Sequence, residues 1–231
     1  MNARCSRVWK SALLFSAFFF PAISTFSQIV PRVLEPVDNS RRVTLPGNVH
    51  PFARPEFDRG AVTTSQPMNR ILLLLKRSDL QEAALETFLE QQQDKSSPNY
   101  HQWLTPSQFG AQYGPADSDI QAVTNWLLSQ GFTIDKVYSG KTVIEFSGNA
   151  AQVQSAFGAS IHSYQVNGKT YVANGNDPQI PLALAPVVAG IVSLNNFPPP
   201  ISRPRCRPGT QSPGPTRAPA ALHLPRARTN L

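Results

Sequence analysis

The sequence predicts an α+β fold, a mainly antiparallel sheet with helices on one face. Three observations predict it. Apolar strand-like runs at Arg70–Lys76 and Gly190–Leu194 bracket the middle of the chain. Between them, helical periodicities with their own start signals alternate with short alternating runs. Tight turn signals, Ser139-Gly140 and Asn167-Gly168, join those runs in pairs.

Each element follows from its residues. Arg70–Lys76 carries four consecutive leucines, which predicts a strand buried on both faces. Ser78 is placed to cap a helix, with Gln81 at the reciprocal capping-box position and Asp79 and Glu82 near the positive helix end. Leu80, Ala84 and Phe88, with Leu85 and Leu89, form its apolar stripe. Ser96-Ser97-Pro98 ends it. The segment from Pro98 to Phe109 is dense in aromatics and weak in period, which reads as a packed connector. Within it, Thr105 as cap and Pro106 at the first position start a short helix stopped by Gly114-Pro115. A third helix starts at Asp117 or Ser118, faces inward with Ile120, Val123 and Trp126, and ends at Gly131. Phe132–Val137 and Thr142–Phe146 alternate as a strand pair. Asn149 caps a short helix that Gly158 ends, with Val153, Ala156 and Phe157 inward. Ile161–Val166 and Lys169–Ala173 flank the Asn167-Gly168 turn. One helical turn is expected between Ile180 and Val188. The order of these elements contains a ferredoxin-like β-α-β-β-α-β core that can fold back into one sheet.

The ends read differently. Arg4, Arg7 and Lys10 precede the apolar run Ala12–Phe20, which Pro21 breaks, and small residues at Ser24 and Ser27 suit cleavage. Residues 1–27 are therefore expected to be a signal peptide, and the chain to be secreted. The competing reading, a membrane anchor, meets a run too short for roughly 30 Å of hydrocarbon. Residues 28–54 are rich in Pro, Arg and Asn and read as an extended lead-in that wraps a domain or stays mobile, with His50 at the surface. Residues 198–231 hold nine prolines, six arginines and no acid, and read as a disordered tail.

The net charge of +7 belongs to those ends. The signal region carries +3 and the tail +6, so residues 28–197 sit at −2 and offer no footprint for a phosphate backbone. Nucleic acid is excluded as a partner, and membrane contact is expected only during export. Cys5 leaves with the signal, so Cys206 is alone and no internal disulfide forms. There is no Walker loop, no His-Glu-x-x-His and no paired-cysteine metal signature. His101 and His162 are far apart in sequence, and Glu82, Glu86 and Glu90 line one solvated helix face. No catalytic, cofactor-binding or metal-binding residue is assigned, and the chain by itself is read as not an enzyme.

Several pieces in one order carry a resemblance. They are Ser97-Pro98-Asn99-Tyr100-His101-Gln102-Trp103-Leu104-Thr105-Pro106-Ser107-Gln108-Phe109, Val123-Thr124-Asn125-Trp126-Leu127 with Gly131-Phe132, Ala156-Phe157-Gly158, the Asn167-Gly168 turn, and Ile180-Pro181 with Val187-Val188-Ala189-Gly190-Ile191. Together they resemble the activation domain of the sedolisin/kumamolisin family of serine-carboxyl peptidases over residues 55–197. The resemblance implies a subtilisin-propeptide-like fold. It also implies a role as intramolecular chaperone and inhibitor of a following catalytic domain, and removal at acid pH. The partner it implies is that peptidase domain, in cis in the family and in cis or in trans here. The family's catalytic Ser, Glu and Asp residues and its calcium site belong to the catalytic domain, so no cofactor is expected in this chain. Gly209-Thr210-Gln211-Ser212-Pro213 is similar to the family's nucleophile motif, but Gln211 stands where the serine would be.

Two accounts of the tail stay open: out-of-register translation of a truncated precursor, and a genuine linker. For the domain, the alternatives to a cis propeptide are a free-standing exported inhibitor and a non-functional product. The expected protein-contact residues are Tyr100 and Trp103 in the connector and Leu194, Asn195, Asn196 and Phe197 in the segment leading toward a partner's cleft. Asp79, Glu82, Glu86, Asp117, Asp119, Asp135 and Glu145 are the candidate carboxylates for acid release.

Overall fold

A computed structural model describes residues 29–198. The signal-peptide expectation, both cysteines, the Gln211 motif and nearly all of the tail lie outside the described residues.

The chain is α+β. Its principal sheet is antiparallel and has four strands: β3 (Pro67–Leu75), β4 (Thr133–Val137), β5 (Val143–Asn149) and β9 (Val188–Val192). They lie in the order β4-β5-β3-β9. Taken in chain order, the first of the four sits between the third and the fourth, which is the ferredoxin-like arrangement. Three helices cross from β3 to β4: α1 (Asp79–Gln93), α2 (Pro106–Tyr113) and α3 (Asp117–Ser129). The helix α4 (Ala150–Phe157) follows β5.

The core fills one face of this sheet. Ile71, Leu73, Ile144, Phe146 and Ile191 project toward Val123, Trp126 and Leu127 of α3 and Val153, Ala156 and Phe157 of α4. The expected burial of all four leucines on both sides does not occur. Leu73 and Leu75 are buried, while Leu72 and Leu74 point away from the helices and stay half-exposed. A strand turns successive side chains to opposite faces, and only one face here is covered.

The hairpin at Asn167-Gly168 leaves the main sheet. Strands β6 (Ile161–Val166) and β7 (Lys169–Asn174) join β2 (Asp58–Ala61) in a second sheet, in the order β2-β6-β7. β2, just after the lead-in, takes the hairpin's free edge, which no short-range signal records. Both turn residues have positive φ, 52° at Asn167 and 74° at Gly168, the pattern that matches the twist of the flanking strands.

A third pairing joins β1 (Arg42–Thr44) to β8 (Gln179–Pro181). The expected single turn follows as a 3-10 turn at Leu182–Leu184. The last strand of the sheet begins two residues earlier than its sequence bracket, at Val188, and ends at Val192, because Ser193 turns left-handed with φ 66°.

The lead-in is a strap held at several points. The Asp119 carboxylate, 1% exposed in the first turn of α3, accepts the backbone N–H of Arg32 and of Val33, each at 2.9 Å. The Arg32 guanidinium donates to the Pro186 carbonyl at 2.8 Å and to that of Lys76. Trp126 Nε1 donates to Asn39 Oδ1 at 2.8 Å. Arg42 donates to the Ala156 and Ser155 carbonyls at the end of α4, where positive charge complements the helix dipole. His50, expected at the surface, is half-buried and stacks on Phe197 with ring centroids 4.2 Å apart.

The caps are local and form as the sequence spells them. Ser78 with Gln81, Thr105 with Gln108 and Asn149 with Gln152 each make the reciprocal capping box. Gly158 closes α4 in the left-handed region at φ 60°. Gly158→Ala is therefore expected to lower stability by about 1 kcal/mol, read as a lower midpoint in urea unfolding.

Helix α1 packs differently from its sequence stripe. Leu85 is buried and Phe88 approaches Tyr113 of α2, but Leu80 is 84% exposed, Leu89 is 51% exposed and Ala84 is exposed. The reason is that α1 packs beside α2 and contributes nothing to the core cluster on the sheet. A helix resting on one narrow neighbour leaves the flanks of its apolar stripe in water.

Candidate functional site

The face of the principal sheet opposite α3 and α4 has no cover among the described residues. Leu72, Leu74 and Val143 are half-exposed there, and Val192 on the neighbouring edge strand is 40% exposed. The register sets them side by side: Leu74 opposite Val143, Leu72 opposite Val192. A groove of about 520 Å³ continues this strip at the sheet's end, lined by Leu74, Arg77, Phe109, Val143 and Ala189 among others. Arg77 lies over the Phe109 ring at 5.6 Å and pairs with Glu82 at 2.7 Å.

A polar cluster sits beside the apolar strip. Glu145 lies opposite Leu72 and shares its face. Its carboxylate accepts from Tyr138 Oη at 2.7 Å and from Arg70 Nε at 2.9 Å. Those hydrogen bonds, the Tyr138 one foremost, lower the Glu145 pKa from its ordinary value and raise that of Tyr138. Lys136 Nζ stands 4.7 Å over the Tyr138 ring, and Ser147 Oγ donates to Asp135. Apolar strips with a small set of engaged charges mark protein-docking faces more than catalytic clefts. Among the described residues no group of three or more His, Cys, Asp or Glu side chains is placed to hold a metal ion.

The residues expected from sequence to contact a partner fall into two groups. Trp103 is 71% exposed and Tyr100 half-exposed, so the connector is not packed away as its aromatic content predicts. Tyr100, His101 and Trp103 instead form a ladder of stacked rings, with centroid spacings of 3.8 and 6.1 Å. Leu194 and Phe197 turn into the domain, and Asn195 and Asn196 fasten the segment. Asn196 exchanges two hydrogen bonds with Val172 of β7, at 3.0 and 2.7 Å, while Asn195 Oδ1 accepts Phe197 N–H. Phe197 also stacks on Tyr171 at 4.4 Å. Burial lowers the pKa of its other neighbour, His50.

The candidate carboxylates also separate. Asp119 lies inside the strap contact and Glu145 inside the polar cluster. Asp117 pairs with Lys141 at 2.6 Å, and Asp79, Glu82 and Glu86 are exposed on α1. Arg70, Leu72, Leu74 and Lys136 belong to the open face without having been singled out in the sequence. The signal for the leucines was strand alternation, masked by their continuous apolar run.

The family described as pro-kumamolisin, activation domain, matches residues 57–197. Xanthomonalisin from Xanthomonas sp. (strain T-22) is 30% identical over 165 residues, which is 68% of this chain and 20% of that protein. Sedolisin from Pseudomonas sp. (strain 101) is 30% identical over 126 residues, 54% of this chain and 21% of that protein. Tripeptidyl-peptidase 1 from Rattus norvegicus is 33% identical over 135 residues, 57% of this chain and 23% of that protein. The chain thus spans about a fifth of the length of these relatives. The match over residues 57–197, more than half of the chain, places this helix-backed antiparallel sheet in the pro-kumamolisin activation-domain family.

Proposed function

We propose that this domain acts as an exported propeptide that helps a sedolisin-type peptidase domain to fold and holds it inactive. The observation that carries this reading is the uncovered sheet face, with its strip of Leu72, Leu74, Val143 and Val192. An apolar strip on a folded sheet gains free energy on being covered, roughly 25 cal/mol per Å² of apolar surface buried. The peptidase domain is the occupant that the family points to. The domain's own part is binding and covering; no step of peptide hydrolysis is assigned to it.

Acid release follows from carboxylates at the contact. Asp79 lines the groove at the end of the open face, and a pair made there with a cation of the peptidase domain would be lost on protonation. Glu145 behaves differently. Its pKa is lowered in the folded domain, so the stability it contributes is fully present above the ordinary glutamate range. That contribution fades only as pH falls through the lowered value. The Arg70–Glu145–Tyr138 cluster is therefore kept further into acid than a pair made by an ordinary glutamate.

The test is calorimetric binding of the purified chain to mature xanthomonalisin and mature sedolisin, at about pH 7 and about pH 4. Binding with loss of peptidase activity at the higher pH, and weaker binding at the lower, is expected. Absence of binding to both enzymes refutes the inhibitor role, and equal binding at both pH values refutes acid release. Recovery of the chain from the culture medium rather than from cells checks export.

A further inference from the structure

We propose that Arg70 is a specificity-determining contact of the open sheet face, presenting its guanidinium fork to a carboxylate side chain on the peptidase domain. This rests on the docking role proposed above and names the chemistry at its centre.

Three independent features of Arg70 converge. Its backbone is left-handed, φ 56°, within a central strand. The register of β3 against β5 shifts there, between Met68 and Ile71. A bulge re-aims a side chain, and a non-glycine residue held left-handed carries strain that the surrounding fold must hold in place. The bulge is held on its partner strand, where Arg70 N–H donates to Ser147 Oγ at 3.1 Å. Glycine or asparagine would meet this geometry with less strain, yet the position carries a long cation.

The second feature is the way the guanidinium is held. Only Nε is engaged, on Glu145, and Tyr138 fixes that carboxylate from the other side. Among the described residues no acceptor meets the two Nη groups, and the side chain is 79% exposed. The fork is oriented from behind and open in front, the arrangement that suits bidentate pairing with a carboxylate.

The third is charge. Of the acids on the strands of this face, Glu145 is paired with Arg70 and bonded by Tyr138, while Asp135 accepts from Ser147 and keeps its charge. At the open end of the fork the group offered outward is the Arg70 guanidinium itself, with Lys136 nearby on β4. The complementary group is an anion, and on a protein surface that accepts an apolar sheet strip it is an Asp or Glu side chain at the rim of the contact.

Two variants of the full chain test this against mature xanthomonalisin and mature sedolisin. R70Q keeps a polar, hydrogen-bonding side chain but removes the charge and the Nη fork. R70N suits the left-handed backbone and removes the reach. Both are expected to bind about tenfold or more weakly than the wild type, with thermal midpoints equal to or above it for R70N and within a few degrees for R70Q. Wild-type affinity should fall as salt rises, and R70Q affinity should respond less. Binding of R70Q within twofold of the wild type overturns the assignment and leaves the docking role standing. A loss of affinity that merely follows a loss of thermal stability in both variants overturns it too. A wild type that binds neither enzyme removes the docking role and this contact together.

Discussion

Asp119→Ala is expected to lower the stability of the domain by about 2–4 kcal/mol, measured by urea unfolding of the full chain. The carboxylate is almost fully buried and accepts the backbone N–H groups of Arg32 and Val33. Truncation leaves two partly buried donors without acceptors, which costs more than the net value of the bonds they made. It also removes the negative charge beside the Arg32 guanidinium and at the positive end of α3. Asp119→Asn, which keeps one accepting oxygen, should lose roughly half as much.

The same contact gives a larger prediction for truncation. A chain beginning at Phe57, where the family match starts, lacks the whole strap. It loses the pairing of β1 with β8, the Asn39 acceptor of Trp126 and the Arg42 contacts at the end of α4. It also uncovers the core flank that Val33, Val37, Val43 and Leu45 pack against. A domain of this size has a net stability of only about 5–15 kcal/mol. Losses of this number and kind approach the whole margin. Residues 57–198 alone are expected to show no cooperative thermal transition, whereas residues 29–198 should show one. A sharp transition in the shorter chain would mean that the strap is an accessory.

Phe157→Ala is the second large effect, expected to cost about 3–5 kcal/mol. The ring is fully buried at the end of α4 and meets Trp126 edge-on at 5.3 Å. It also lies 5.6 Å from Phe132 and 6.0 Å from Phe146. Those three partners come from α3, from the loop before β4 and from β5, so the cavity would open where two helices and the sheet meet. Rigid aromatic neighbours collapse poorly into such a space, which places the cost toward the upper end. Leu89→Ala is the control, since Leu89 is half-exposed on α1 and should change stability by less than about 0.5 kcal/mol. Both residues lie on apolar stripes of equal clarity in the sequence. Unfolding midpoints that shift alike would contradict the distinction.

What was legible from sequence alone shares one property: it is settled within a few residues. Ser78 with Gln81, Thr105 with Gln108 and Asn149 with Gln152 saturate helix-end amides three positions away. Gly158 and Asn167-Gly168 supply backbone angles that most residues resist. These features placed the helices and most of the strands, and with them the α+β class. The ordered motifs from Ser97 to Ile191 carried the family. Helices on one face were legible in the order of the elements, but which leucines face outward was not, because a continuous leucine run hides the alternation that tells the two sides of a strand apart.

Tertiary structure decided everything that depends on a partner distant in sequence. Which leucines face water depends on where α3 and α4 lie, more than forty residues after Leu72 and Leu74. The hairpin of β6 and β7 went to a second sheet because β2, about a hundred residues earlier, pairs with it. Arg70 gained its left-handed bulge from its register against β5, and Asp119 became a buried acceptor only when the lead-in returned to α3. Local chemistry is strong enough to select a turn or a cap. The face a strand shows to solvent is selected by burial summed over the whole chain.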